Sequence, residues 1–156
     1  MSSKSEMLRH LLASIAYRAT KAIKNPPKTY PTFHLGKGAK TPLGILHHIT
    51  GVLTYAHSFF EHYDTTHFKV KSWDAEIDEF YSILSKLDKS IREKNPNEVT
   101  EEQLLQGPLS DAMTHIGQLS MLRRMVDSPI PSENFIFADI RKGEVGPRQP
   151  DPIAPD

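Results

Sequence analysis

The sequence predicts an all-α protein, an up-and-down four-helix bundle with an extended C-terminal tail. Three observations predict it. Four stretches carry apolar residues at the three- and four-residue spacing of a helix that buries one face. Residues that start or stop helices bound each stretch, and none alternates apolar with polar residues in the manner of a β-strand. A chain of 156 residues without internal repeats is also about one domain with one sizeable core.

Ser5 is placed to cap a first helix running to about Lys24, with Leu8, Leu12, Ile15, Ala19 and Ile23 at helical spacing. Asn25-Pro26-Pro27 ends it. In the connection that follows, Gly36-Lys37-Gly38-Ala39-Lys40-Thr41 has a faint likeness to a phosphate-binding loop. Its spacing is wrong and no strand precedes it, so nucleotide binding is not expected. Thr41-Pro42, a capping hydroxyl followed by proline at the first helical position, starts a second helix expected to reach about Tyr63, with its seam on Leu46, Ile49, Leu53, Ala56 and Phe60. Asp64 to His67 reads as a loop. A third helix follows from about Ser72, on Trp73, Ile77, Phe80, Leu84, Leu87 and Ile91, until Asn95-Pro96-Asn97. Thr100 and Gln103 make a capping box for a short helix to Gln106. Gly107-Pro108 is then expected to break the direction and restart the chain as the fourth long helix, Pro108 to Met125. In the tail, a short helix is expected around Phe135 to Lys142. The division is one domain over 1–146 and a proline-rich, disordered tail over 147–156.

Composition narrows the function. The 19 basic and 19 acidic residues cancel and form no block of one sign, which argues against nucleic acid as a partner. There is no cysteine, hence no disulfide, thiolate metal site or cysteine nucleophile. No apolar run approaches the roughly 20 residues that cross a bilayer, and the first residues do not read as a signal peptide. A soluble, cytoplasmic domain without a membrane partner is the expectation.

The candidate chemistry lies on the fourth helix. Leu109, Ala112, Ile116, Leu119, Leu122 and Val126 fall on one arc, and at its edge Asp111 and His115 stand one turn apart. An acid and an imidazole in that relation, beside an apolar seam, could hold a metal between helices. On the second helix His48 borders the seam, whereas His47 points about 100° away; if one of them faces inward it is His48. With alternating helices, the second and fourth run the same way, and His48, Asp111 and His115 then lie at similar depth. The bland readings are an acid in a helix's first turn for Asp111 and hydrogen-bonded, partly buried rings for the histidines. His57, His62 and His67, five apart, read as surface residues, and Arg123 and Arg124 as solvated or helix-end cations. No serine sits in the strand context of a nucleophile elbow.

Thr114 to Arg124, THIGQLSMLRR, resembles a segment on the last bundle helix of DinB-like (YfiT-like) proteins, and Thr41 to Ala56, TPLGILHHITGVLTYA, resembles their second helix. The likeness extends over Ser5 to Gln149, including the tail PSENFIFADIRKGEVGPRQ. The resemblance implies a bundle that is commonly a homodimer and carries a divalent metal (nickel, zinc, iron or manganese) on three histidines, open to water or ligand. Carried over by position, His48 and His115 match two of those ligands. The third falls on Asp111, a departure that leaves the metal's identity and the occupancy of the site open. Two histidines and a carboxylate remain a sound ligand set, with Gln118 as an outer partner. Relatives of this kind include metal-dependent thiol S-transferases and hydrolases, so the implied partner is a small molecule, such as a low-molecular-weight thiol. The alternative is a non-catalytic homodimeric helical binding module with a degenerate metal site.

Overall fold

A computed structural model describes residues 2–62 and 69–153, and among these the chain is helical with no strand. The long helices are α1 (Ser3–Ile23), α2 (Pro42–Ser58), α3 (Trp73–Glu93) and α5 (Ser110–Met125), the last preceded by the short α4 (Glu101–Leu104). Hydroxyl caps set most of the starts. Ser2, Thr41, Ser72 and Thr100 each accept from a backbone N–H of the first turn, and Thr100 and Gln103 complete the capping box. The cap of α1 is therefore Ser2, whereas Ser5 lies inside the helix and is buried.

Two further boundaries differ from the sequence reading. The apolar period of α2 continues through Phe59 and Phe60, but the helix ends at Ser58. The carbonyl of Phe59 instead accepts from Asn97 N–H at 2.7 Å, and Phe60 stays buried from within a turn. The expected end at Tyr63 and the loop at Asp64 to His67 lie outside the described residues. Gly107-Pro108 does not restart the chain either. Leu105–Leu109 is a π-turn that joins α4 to α5 as one continuous helix. Pro108 has no N–H and its ring would strike the carbonyl four residues back, so the helix widens by one residue there. The buried positions record the insertion: Leu104 and Leu109 are five apart, after which Ala112, Ile116 and Leu119 resume the three-four spacing.

The helices pack as α1 on α3 and α5, and α2 on α3 and α5. Contacts at their ends give directions. Arg9 meets Asp88 and Thr20 meets Tyr81, so α1 and α3 are antiparallel. His47 meets Glu76 and His57 meets Ser90, so α2 and α3 are parallel. Ser5 meets Glu101, and Arg123 meets the carbonyls of Ala22 and Lys24, so α1 runs with α5. It follows that α2 and α5 run in opposite directions. This corrects the alternating order expected from the sequence. To allow it, the chain returns the length of α2 between Ser58 and Trp73. The 17 residues of α2 span about 25 Å, well within the reach of 14 extended residues at about 3.3 Å each.

The core is one cluster to which all four long helices contribute, with Leu12, Ile15, Leu46, Ile49, Leu53, Phe80, Leu84 and Leu119 fully buried. Two buried charged groups tie its surface. Arg9 donates twice to Asp88, at 2.9 and 3.0 Å. Arg123 closes the α1–α5 end by donating to Ala22 O, Lys24 O, Ser128 O and Ser128 Oγ, which makes it a helix-end residue, while Arg124 is exposed. The tail folds back along α1. Among its described residues the one helical turn is 3-10, Phe135–Phe137, rather than the longer helix to Lys142. Val145 reaches the core, and Tyr17 Oη–H donates to Glu133. The proline-rich stretch from Pro147, for which disorder is the sequence expectation, is described to Ile153 as chain without regular secondary structure, with Lys21 Nζ donating to Pro150 O.

Candidate metal centre

His48, Asp111 and His115 come together between α2 and α5, with one ligand atom from each within 4.8 Å of the others. The route differs from equal depth on parallel helices. His48 lies ten residues before the end of α2 at Ser58, and Asp111 lies ten residues after the start of α4 at Glu101. Those two ends are adjacent, because Phe59 O accepts from Asn97 N–H. Antiparallel helices measured from a shared end meet at these residues.

The continuous helix also removes the bland account of Asp111. A carboxylate in a first turn complements the helix dipole, but that effect fades within one turn. Asp111 sits far from the free N–H groups at Glu101, behind the π-turn, and gains nothing from them. Its two oxygens face the two imidazoles instead. His48 Nε2 lies 3.3 Å from Oδ2 and His115 Nε2 lies 3.3 Å from Oδ1, while the rings stand edge to face at 4.4 Å.

Each of these distances suits a donor pair on one ion, although they end on different oxygens and the His48–Asp111 pair is also within hydrogen-bond reach. Protein N–H···O bonds cluster at about 2.7–3.2 Å, so 3.3 Å is long for them. Two donors each about 2.1 Å from a tetrahedral ion are about 3.4 Å apart, and cis donors of an octahedral ion about 3.0 Å. The tautomer points the same way. His115 Nδ1–H donates to Gln118 Oε1 at 2.9 Å, which leaves the Nε2 of the neutral ring unprotonated and facing a carboxylate oxygen. Two lone pairs opposed at that distance call for a cation between them, either a proton on the ring or a metal ion. All three side chains are partly exposed, at 38%, 44% and 20%, so water or a small molecule reaches the position they surround.

Of the remaining candidates, His47 turns to α3, where its Nδ1 lies 3.0 Å from the buried carboxylate of Glu76, which also accepts from Lys71 N–H. His57 corrects the surface reading. It is buried at 5% exposure, its Nε2 lies 3.2 Å from Ser90 Oγ, its Nδ1 has no hydrogen-bond partner among the described residues, and burial lowers its pKa. The signal was present in the sequence, since His57 lies four residues after Leu53 on the buried stripe. His62 is exposed, and His67 lies outside the described residues. In the glycine-rich loop Gly36 and Gly38 have φ of 82° and 76°, and Gly36 O accepts from Ala39 N–H, a turn that glycine makes easily. No helix among the described residues is long and apolar enough to cross a membrane.

Comparison of the chain with protein-family models, with curated proteins and with solved structures gives no match in any of the three.

Proposed function

We propose that the chain is a four-helix-bundle metal protein of the DinB-like kind, binding one divalent ion between α2 and α5 through His48, Asp111 and His115. The observation that carries this reading is the pair of Nε2 atoms, each 3.3 Å from a different oxygen of one carboxylate that has no helix-dipole role. Each residue has a separate part. The imidazoles supply neutral nitrogen donors, Asp111 supplies the charge that offsets half of a dication, and Gln118 holds the His115 proton on Nδ1 so that Nε2 is free. Two nitrogens and one carboxylate leave coordination positions for water or substrate. When bound, the ion would lower the pKa of a coordinated water or thiol.

The activity class this supports is a metal-dependent transferase acting with a low-molecular-weight thiol, or a hydrolase, in a cytoplasmic homodimer. The ion would be nickel, zinc, iron or manganese. The family reading rests on the helix-four segment Thr114 to Arg124 and the helix-two segment Thr41 to Ala56. Titration of metal-stripped protein with each of the four ions tests the site: saturation at one ion per chain supports it. Failure of all four to saturate sinks it, and the non-catalytic binding module then takes its place, with the three side chains held together by a proton.

A further inference from the structure

We infer that the cleft between α1, α5 and the tail is a binding site for a small carboxylic acid with an apolar body, with Arg18 as the anion receptor. This inference is independent of the metal site. The cleft encloses about 270 Å³, just below the roughly 300–1,000 Å³ of sites for drug-sized molecules. Its walls are Met113, Ile116, Gly117, Ile130 and Phe135, with Arg18 among them.

Arg18 is the unexplained group. Its guanidinium carbon lies 3.7 Å from the centroid of the Phe135 ring, so the ring holds the half-buried side chain in place. Among the described residues it makes no hydrogen bond and no ion pair; Arg124 and Arg148 share that state but are exposed, whereas Arg9, Arg92, Arg123 and Arg141 all have partners. A guanidinium presents donors in a planar fork that suits a carboxylate. Stacking on Phe135 removes much of the rotamer entropy that binding would otherwise cost.

The neighbours select the ligand's charge and shape. Glu133 also lines the cleft, and its carboxylate is satisfied by Tyr17 Oη–H, by Ile153 N–H and by Lys21 at 3.9 Å. Lys21 is thereby engaged, and the cleft offers one free cation beside one anion. A monoanion is favoured over phosphate-like dianions, which Glu133 would repel. The apolar walls take the rest of the molecule. Gly117 leaves the space open, since a Cβ there would meet nothing within 4 Å.

The test is calorimetric titration of the full chain with hexanoate and with hexanamide, which have nearly the same shape but differ in charge and in one acceptor oxygen that becomes an NH2 donor. Hexanoate should saturate one site per chain, with hexanamide at least tenfold weaker. Arg18→Gln should weaken hexanoate at least tenfold. Gly117→Leu, which places a bulky side chain in the cleft and suits a helix better than glycine, should abolish binding. His115→Ala should leave it unchanged, which separates this site from the metal centre. Absence of saturable hexanoate binding, equal affinity for the amide, undiminished binding in a folded Arg18→Gln or Gly117→Leu protein, or competition by inorganic phosphate as effective as hexanoate itself would each overturn the assignment.

Discussion

Gln118 gives the sharpest handle on the candidate metal centre, because it touches the ligand set without belonging to it. Its Oε1 accepts the His115 Nδ1 proton at 2.9 Å, and this bond fixes which ring nitrogen faces Asp111. In Gln118→Ala the ring is free to carry its proton on Nε2, and metal must first displace it. Loss of such an outer partner costs roughly 10–100-fold in affinity, or about 1.4–2.7 kcal/mol. With metal well above its dissociation constant, stability falls by the same amount. For 156 residues, with an unfolding entropy of about 2.1 cal/mol/K per residue, that is a drop in Tm of roughly 4–8 °C. Gln118→Glu, which keeps an acceptor and makes it anionic, should retain or raise affinity. Competition titration against a chromophoric chelator measures the affinity, and thermal denaturation with and without metal measures the linked stability. A Gln118→Ala protein that binds within threefold of the parent would refute the tautomer argument.

Other consequences concern the frame around the site. Asp88→Asn should cost about 3–5 kcal/mol in urea denaturation, because it leaves the buried Arg9 guanidinium, 9% exposed, with only Glu6 at 4.0 Å as a counter-charge. The double change Arg9→Met, Asp88→Leu should cost much less than that single one. Arg123→Met strips four acceptors at the α1–α5 end of their donor and should destabilise by about 2–3 kcal/mol; a loss below about 1 kcal/mol would mean that the end is held by packing alone. His57 adds a pH dependence of known sign. Burial lowers its folded pKa, so the unfolded chain binds more protons below about pH 6.5, and stability falls as the pH drops through that value. Urea midpoints taken from pH 7.5 to 5.5 should therefore fall less steeply for His57→Leu than for the parent, and parallel slopes would contradict the burial argument.

Much of this architecture is written locally. The start signals Thr41-Pro42, Ser72 and Thr100–Gln103 are chemical devices readable within four residues, and the structure uses each. The end of α2 is not local. Phe59 and Phe60 keep the helical period, yet the helix ends at Ser58, where the Phe59 carbonyl accepts from Asn97, far along the chain. Pro108 was legible as a disturbance but not as its outcome, because a break and a π-turn relieve the same clash. Which one forms depends on whether Leu104 and Leu109 can both be buried. Helix direction was the least legible feature. Apolar stripes look alike read either way, and the pairs that set direction, such as His47 with Glu76, depend on tertiary packing. The juxtaposition of His48 with Asp111 and His115 was expected from a parallel geometry and arises from an antiparallel one. The partnered state of Glu133 and the unpartnered state of Arg18 depend on how the tail lies, which periodicity does not encode.

The most direct test of the metal-site account is elemental analysis of protein purified without a histidine tag, alongside His48→Ala and His115→Ala. The account predicts about one divalent ion per chain in the parent, lost in both variants while the helical circular dichroism persists. A parent chain that carries no metal, even after reconstitution with nickel, zinc, iron and manganese, would contradict it.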